Sequence, residues 1–278
     1  MDILTFSMLV GLASLAAGFL GSLVGLGGGV IIVPLLTLVF GVDIKYAIGA
    51  SLISVIATSS GAACAYVKEG FTNIRIGMFL EVATTLGALL GAYIATKLSD
   101  SVIVVIFGAI LIYSSYLTFK RIGQSSLAHK SDSLAARLKL DGAYPVAGGL
   151  EYYHVQGVPV GFCLMFLAGS ASGLLGIGSG AFKVIAMDQA MRIPFKVSTA
   201  TSNFMIGVTA AAGAGVYLNR GYVDPVLVMP VVLGVLSGSI LGSRYLFGAQ
   251  DKKLRIIFGA IILLLALEMI YSGLTRSI

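Results

Sequence analysis

The sequence predicts an all-α polytopic membrane protein that is built from two inverted-topology repeats. Hydrophobic residues make up 58% of the 278 residues and charged residues only 11%, whereas an ordinary soluble domain has about 25% charged residues. Two segments of the chain repeat each other, and the basic residues are concentrated in alternate loops. The alternation of apolar and polar residues that a membrane β-barrel needs is absent, so the predicted spans are helical.

The repeat covers residues 17–110 and 168–261, which align without a gap. Gly18 and Gly169 lie 151 positions apart (169 − 18). The same offset relates a series of identical pairs: Gly25/Gly176, Gly27/Gly178, Gly29/Gly180, Lys45/Lys196, Ser51/Ser202, Thr58/Thr209 and Gly87/Gly238. Paired hydrophobic repeats with interruptions at matching positions are typical of secondary transporters, whose binding sites lie at the interruptions.

The first membrane segment must reverse direction inside the bilayer. Ile3–Val42 contains no charged residue over 40 positions (42 − 3 + 1). One straight helix of that length would be roughly 60 Å long, about twice the thickness of the hydrocarbon core. The obvious break is Gly25-Leu26-Gly27-Gly28-Gly29, and the second copy has Gly176-Ile177-Gly178-Ser179-Gly180 at the matching place.

Three spanning helices are predicted to follow each broken hairpin, which makes 8–10 membrane segments in total. Stretches close to the roughly 20 residues that a spanning helix needs are bounded by charges. Tyr46–Val67, Ser101–Phe119 and Pro225–Ser243 are uncharged. Ile76–Thr96 and Ile256–Thr275 contain one acid each, Glu81 and Glu268.

The basic residues predict the orientation of the chain. Of the 18 Lys and Arg residues, thirteen fall on one side: Lys68, Arg75, Lys120, Arg121, Lys130, Arg137, Lys139, Arg192, Lys196, Arg244, Lys252, Lys253 and Arg255. Four fall on the other, Lys45, Lys97, Arg220 and Arg276, and Lys183 lies inside an apolar segment. The positive-inside rule then places the thirteen in the cytoplasm and both termini outside the cell membrane. The two repeats are therefore inverted with respect to each other.

The domain organisation follows from this topology. Residues 1–119 are the first membrane repeat, residues 120–157 are a cytoplasmic linker, and residues 158–278 are the second repeat. Within the linker we expect a short amphipathic helix over Ser133–Leu138. Asp141-Gly142, Gly148-Gly149 and the stretch Glu151–Val155 together predict a small hairpin.

The glycine breaks are the candidate substrate site. Glycine lets the backbone adopt positive φ and approach a ligand closely, and the following helix supplies free N–H donors. The candidate binding residues from the two breaks are Gly27, Gly28, Gly29, Gly178, Ser179 and Gly180. The alternative is that these glycines only allow close helix packing, which is the interpretation favoured for Gly87, Gly91, Gly238 and Gly242.

Polar residues near the breaks complete the candidate site. Lys183 follows Gly180 by three positions, and an ionisable residue at such depth is a functional candidate, the alternative being an ion pair with a structural acid such as Glu81. Ser51, Thr201, Ser202 and Asn203 open the next helices and could bind an oxyanion or cap and cross-link helices; these alternatives stay open. Glu81 is the candidate coupling group. Asp188 is expected in a solvated helix end.

These residues resemble the TauE/SafE family of membrane proteins, which are linked with sulfite and organosulfonates. In the first copy the resemblance lies in the Gly25–Gly29 break, Val33-Pro34, Lys45 and Gly49-Ala50-Ser51-Leu52. In the second copy it lies in the Gly176–Gly180 break, Lys196, Ala200-Thr201-Ser202 and Gly221-Tyr222-Val223-Asp224. Ser179 and Lys183 depart from the family pattern, which often has Gly and an aliphatic residue there. The resemblance implies transport of small sulfur oxyanions or related organic anions.

The sequence therefore favours a secondary transporter of a small anion that works by alternating access. A passive anion channel is the alternative. An enzyme is disfavoured because the spans contain no catalytic or metal-ligand cluster, and neither a cofactor nor a metal is expected. The expected partners are a small anionic substrate and the lipid bilayer, without nucleic acid. A coupling ion (H⁺ or Na⁺) and a homodimer stay open.

Overall fold

The fold is almost entirely helical. A computed structural model of the chain describes residues 3–24, 29–68, 70–119, 132–146, 149–246 and 251–275. These ranges contain eleven α-helices and one two-stranded sheet. The prediction of an all-α architecture is confirmed, and the small sheet lies in the linker.

The first repeat begins with helix α1, Ile3–Val24. The short helix α2, Gly29–Pro34, continues into a π-helical turn over Leu35–Val39. Three long helices follow: α3 at Ile44–Lys68, α4 at Ile74–Ala95 and α5 at Asp100–Phe119. Together α2 and the π-helical turn have 11 residues (39 − 29 + 1), so at about 1.5 Å per residue they reach only half-way across a bilayer.

The second repeat reproduces this series of elements. Its helices are α7 at Val158–Leu175, α8 at Gly180–Ile185 with a π-helical turn over Ala186–Ala190, α9 at Phe195–Asn219, α10 at Pro225–Leu246 and α11 at Asp251–Thr275. Both bounds of α8, α9 and α10 lie 151 positions beyond those of α2, α3 and α4 (180 − 29, 195 − 44, 225 − 74). The ungapped sequence repeat is thus matched by the order and bounds of these helices.

Two of these helices are both long and apolar enough to cross a membrane, Ile74–Ala95 and Val158–Leu175. Shorter apolar stretches of 10–17 residues lie in six further helical segments of the described chain. The predicted spans Tyr46–Val67, Ile76–Thr96, Ser101–Phe119 and Pro225–Ser243 coincide with α3, α4, α5 and α10 to within a few residues.

Small residues let helices of different repeats pack backbone to backbone. Gly87 and Gly91 of α4 face the backbone of Phe166 and Ser170 in α7 so closely that an added Cβ would overlap it. Gly234 and Gly238 of α10 face α1 in the same way, at residues 11–19. The packing interpretation of Gly87, Gly91 and Gly238 is confirmed. The N-terminal helix of each repeat therefore packs on the third long helix of the other repeat, α1 on α10 and α7 on α4.

Helices α3 and α9 run antiparallel. Near the start of α3, Gly49 contacts the carbonyl of Tyr222, which follows the end of α9. Beyond the end of α3, the backbone N–H of Asn73 donates a hydrogen bond of 3.1 Å to the hydroxyl of Thr201 in the first part of α9. We call these two regions the Tyr222 end and the linker end of the molecule.

The linker packs against the end of the molecule at which α4 begins, through contacts with Asn73. It contains helix α6 at Ser133–Arg137 and strands β1 at Gly142–Val146 and β2 at Gly149–Tyr153, which pair antiparallel. Asn73 caps α4 through its side-chain oxygen and donates from Nδ2 to the Tyr153 hydroxyl at 2.7 Å and to the Leu140 carbonyl at 3.2 Å. Burial raises the pKa of Tyr153 to about 12, so this phenol stays neutral. The predicted short helix and hairpin are both present.

Candidate functional site

The two glycine breaks meet at Ser51, in the first half of α3. The hydroxyl of Ser51 donates a hydrogen bond of 2.7 Å to the carbonyl of Gly176 in the second break, and it lies 3.4 Å from the carbonyl of Gly29 at the start of α2. A Cβ on Gly29 would lie 2.9 Å from the same Gly176 oxygen. The structure thus brings the described parts of both breaks together. Gly27 and Gly28 lie outside the described residues.

The second break is a run of left-handed backbone. Gly176, Gly178 and Ser179 have φ angles of +71°, +68° and +46°. Ser179 caps α8 without a side-chain hydrogen bond, and its hydroxyl is buried without a hydrogen-bond partner. A positive φ at a non-glycine residue is strained, so the conformation is held by the surrounding packing. Val55 and Ile206 would each lie 3.1 Å from a Cβ on Gly178.

Lys183 lies inside the protein beside this break. Its side chain is 0% exposed, and Nζ donates a hydrogen bond of 2.5 Å to the hydroxyl of Thr209 on α9. Gly180 contacts Ile206, so Nζ reaches a level one turn further along α9. Because helical side chains point toward the N-terminus of their helix, the ammonium group extends from α8 back toward the break.

Glu81 of α4 supplies the opposite charge. It is 6% exposed, and its Oε1 accepts hydrogen bonds from Thr209 at 2.7 Å and from Thr85 at 3.2 Å. Lys183 and Glu81 are joined through the Thr209 hydroxyl, which accepts from the ammonium group and donates to the carboxylate. The second carboxylate oxygen, Oε2, is buried and has no hydrogen-bond partner.

This polar chain of Lys183, Thr209 and Glu81 balances two charges that would be costly alone. An unpaired buried charge costs several kcal/mol, and removing one partner of a buried pair leaves the other uncompensated. A bridging hydroxyl keeps the two charges apart, and their mutual attraction is correspondingly weaker. The arrangement can therefore exchange one partner for another charged group more easily than a direct ion pair could.

The other predicted binding residues lie at different levels of α9. Ser202 donates a hydrogen bond of 3.2 Å to the Gly180 carbonyl, which matches the contact of Ser51 with Gly29 in the first repeat. Thr201 is buried at the linker end against Asn73. Asn203 is half-buried and donates to the carbonyl of Thr199 in its own helix. The structure places Ser202 at the break and leaves Thr201 and Asn203 apart from it.

Sequence reasoning missed Thr209. Its only signals are that Thr58 stands at the matching position of the first repeat and that it follows Ser202 by seven residues, which is two turns on the same helix face. The expected solvated position of Asp188 is wrong. Asp188 is 2% exposed, and its Oδ2 has no hydrogen-bond partner. Asp188 lies in the π-helical turn Ala186–Ala190 and is buried there.

The residues of the family resemblance at the Tyr222 end form a separate cluster. Lys45 makes an ion pair of 2.9 Å with Asp100 and lies 5.9 Å from the ring centre of Tyr222. Lys196, the equivalent of Lys45, is exposed on the first turn of α9. A groove of about 430 Å³ between α4 and α9 lies at the Tyr222 end, where Tyr93, Asn219 and Arg220 contribute to its lining. These groups make no hydrogen bond or ion pair with the described residues of the glycine breaks.

Comparison with known proteins agrees with the resemblance read from the sequence. The family described as sulfite exporter TauE/SafE matches residues 10–269. The probable membrane transporter protein YunE of Bacillus subtilis (strain 168) is 31% identical, over 98% of this chain and 99% of YunE. YdhB of the same strain is 26% identical over 86% of this chain and 89% of its own length. A probable membrane transporter protein of Xylella fastidiosa (strain 9a5c) is 25% identical over 94% and 92%. No solved structure matches.

Proposed function

The chain belongs to the sulfite exporter TauE/SafE family, and on that premise we propose that it is a secondary transporter of a small anion that works by alternating access. Its relatives are membrane transporter proteins and not enzymes. The substrate class that we propose is a sulfur oxyanion or an organosulfonate. The family description supports a substrate similar to sulfite. The buried positive charge of Lys183 supports a substrate that is an anion, without selecting which one.

The observation that carries this proposal is the buried ammonium group of Lys183 beside the second glycine break. A charged residue inside membrane segments is costly and is a functional candidate for that reason. The two breaks meet at Ser51, in the first half of α3, and repeat transporters bind their substrates at such interruptions between repeats. Helix α8 begins beside this junction, and Lys183 is the one ionisable side chain among its residues, Gly180–Ile185.

Alternating access requires two halves that can exchange shapes. We infer that the two repeats have inverted topology, with the linker in the cytoplasm and both termini outside. The antiparallel course of α3 and α9 supports this inference, and so does the thirteen-to-four distribution of basic residues. Lys45 at the Tyr222 end and Arg75 at the linker end then face opposite sides of the membrane.

Binding of anions by the purified protein tests the proposal. We expect calorimetry against sulfite, thiosulfate, sulfate, isethionate and acetate to detect at least one sulfur anion that binds. Lys183→Gln removes the charge and keeps hydrogen-bonding capacity, so its dissociation constant should rise at least about tenfold, a loss of roughly 1.4 kcal/mol. Lys183→Arg should retain more affinity yet transport poorly, because its planar fork does not reproduce the compact ammonium group.

Lys97→Gln is the matched control. Lys97 is exposed at the Tyr222 end and lies over the ring of Tyr93, so its removal should leave the dissociation constant unchanged. An unaltered constant in Lys183→Gln, together with a lower midpoint temperature of unfolding, would assign Lys183 to the fold alone. Absence of binding for every anion would overturn the proposed substrate class.

A passive anion channel is the second candidate, and counterflow separates it from a transporter. Liposomes preloaded with unlabelled substrate should take up labelled substrate faster than empty liposomes, because a carrier returns more quickly when it is loaded. A channel would show no such acceleration, and its flux would not saturate at the concentration at which binding saturates.

A further inference from the structure

The polar chain of Lys183, Thr209 and Glu81 contains a feature that anion binding alone does not explain, namely a buried acid with one oxygen left unused. We propose that Glu81 is a proton-binding site and that each anion binds together with one proton, so that the protein is a proton–anion symporter. This inference rests on the proposed function and names the coupling ion of the same site.

Charge balance is the physical reason. In the empty protein the positive charge of Lys183 is balanced by Glu81 through the Thr209 hydroxyl. An arriving monoanion would add a second negative charge to a buried region that contains one lysine. Excess buried charge costs several kcal/mol, whereas neutral Glu81 leaves Lys183 and the anion as a balanced pair. Binding of the anion therefore favours uptake of a proton by Glu81.

The geometry shows which atom receives the proton. Oε1 of Glu81 is occupied as an acceptor, because Thr209 and Thr85 donate to it at 2.7 and 3.2 Å. Oε2 is buried and accepts no hydrogen bond. A proton from water would form an O–H bond at Oε2, which converts the carboxylate into a neutral acid. The hydrogen bonds to Oε1 can persist in that state.

In the part of the chain that the structure describes, the hydrogen-bond chain connects Glu81 to one charged group, Lys183. Helix α7, which packs along α4, contains no Asp, Glu, Lys, Arg or His. The charged or titratable side chains of α4 and α9 other than Glu81 lie near the helix ends: Arg75, Tyr93, Lys196 and Tyr217. On α8 and its π-helical turn they are Lys183 and Asp188. Lys183 is thus the charged group that the hydrogen-bond chain connects to Glu81.

The two charged residues of the polar chain have no charged equivalents in the other repeat. The positions equivalent to Lys183 and Glu81 in the other repeat are Ile32 (183 − 151) and Val232 (81 + 151). Thr209 does have an equivalent, Thr58, whose hydroxyl bonds to carbonyls of its own helix. The stoichiometry expected from a single site is one proton for each monoanion.

The pH dependence of anion binding tests the symport. Isethionate and methanesulfonate are suitable probes, because their charge is constant over the useful pH range. If one proton is taken up with each anion, the dissociation constant should fall about tenfold for each unit by which the pH is lowered, as long as Glu81 is ionised in the empty protein. Calorimetry in buffers of different ionisation enthalpy should count one proton for each bound anion.

Variants of Glu81 identify the group that binds the proton. Glu81→Gln resembles the protonated acid, so it should bind these sulfonates at neutral pH as tightly as the wild-type protein does at low pH, with no proton uptake. Glu81→Asp keeps a carboxyl group and should keep the count of one proton. Glu268→Gln is the matched control, since Glu268 is an exposed acid of α11. It should behave as the wild-type protein does.

The outcomes separate this inference from the proposed function. Sulfonate binding that does not change with pH and takes up no proton would overturn the symport and leave anion transport standing. An unchanged proton count in Glu81→Gln would also overturn it, because another group would then bind the proton. Absence of binding for both sulfonates and all panel anions at every pH would overturn the proposed function, and the symport with it.

Discussion

At the scale of residues, two equivalent serines at the junction of the breaks make different contacts. Ser51 and Ser202 are equivalent positions, yet their hydroxyls do different things. Ser51 bonds to Gly176 of the other repeat at 2.7 Å, whereas Ser202 bonds to Gly180 of its own repeat at 3.2 Å. Both serines therefore lie against the short helix of their own repeat, Ser51 at Gly29 and Ser202 at Gly180. Ser51 in addition makes a hydrogen bond to the other repeat.

Replacement of these serines by alanine should show the difference. Ser51→Ala leaves the carbonyl of Gly176 without its hydroxyl donor in a buried place, which costs about 1–3 kcal/mol. Ser202→Ala should cost less, because Gly180 begins α8 and its carbonyl can still accept within that helix. The measurement is the midpoint temperature of unfolding in detergent. An equal or larger decrease for Ser202→Ala would contradict this account.

At the scale of elements, the short helices α2 and α8 are what distinguishes this fold from a bundle of plain spanning helices. Each is preceded by a glycine-rich break and followed by a π-helical turn, Leu35–Val39 and Ala186–Ala190. π-Helical turns occur often at functional sites. Backbone that leaves the helical path inside a bilayer is tolerated where protein covers it, and here α3 and α9 provide that cover.

Glycine substitutions should separate the breaks from the packing contacts. Gly178→Ala strains a residue with a φ of +68° and places a Cβ 3.1 Å from Val55 and Ile206, so it should reduce anion binding severely while the protein still folds. Gly87→Ala would press on the backbone of Phe166 and should lower stability by about 1–3 kcal/mol. Binding titrations and thermal unfolding of both variants provide the comparison.

Gly215→Ala is the control for these two changes. A Cβ on Gly215 would contact nothing within 4 Å, and alanine is the better helix former by roughly 0.5–1 kcal/mol. Gly215→Ala should therefore be as stable as the wild-type protein or more so. If Gly178→Ala binds the anion with wild-type affinity, the second break is a packing device.

At the scale of the whole molecule, the repeats interlock instead of forming two separate halves. Helix α1 packs on α10 and α7 packs on α4, through equivalent small residues such as Gly18 and Gly169. The helices in each of these pairs run parallel, since Gly11 meets Pro230 and Gly18 meets Val235. The close backbone contacts of these helices therefore join the two repeats along their N-terminal helices.

Accessibility to an impermeant thiol reagent should reveal the orientation of the molecule. In a background with Cys64 and Cys163 replaced by alanine, Asn219→Cys at the Tyr222 end should be labelled in intact cells. Leu150→Cys in the linker hairpin should be labelled only after permeabilisation. Both positions are exposed. Labelling of Leu150→Cys from outside would reverse the orientation that the basic residues predict.

The sequence by itself determined the class of the protein, its repeat and the positions of its long helices. These properties are local or additive: apolar content over about 20 residues decides whether a segment enters a bilayer, and an ungapped register of 151 positions transfers element bounds from one repeat to the other. The glycine breaks and Lys183 could also be recognised from the sequence, because each interrupts an otherwise apolar segment.

Only the tertiary structure decided which of the polar residues meet. Lys183, Thr209 and Glu81 lie on three different helices, 26 and 128 positions apart along the chain, and no periodicity relates such positions. Thr201 and Ser202 are neighbours in sequence, yet one faces the linker end and the other the break. Packing of α4, α8 and α9 determines these contacts, because a buried charge can be stabilised only by groups that the fold brings within hydrogen-bonding distance.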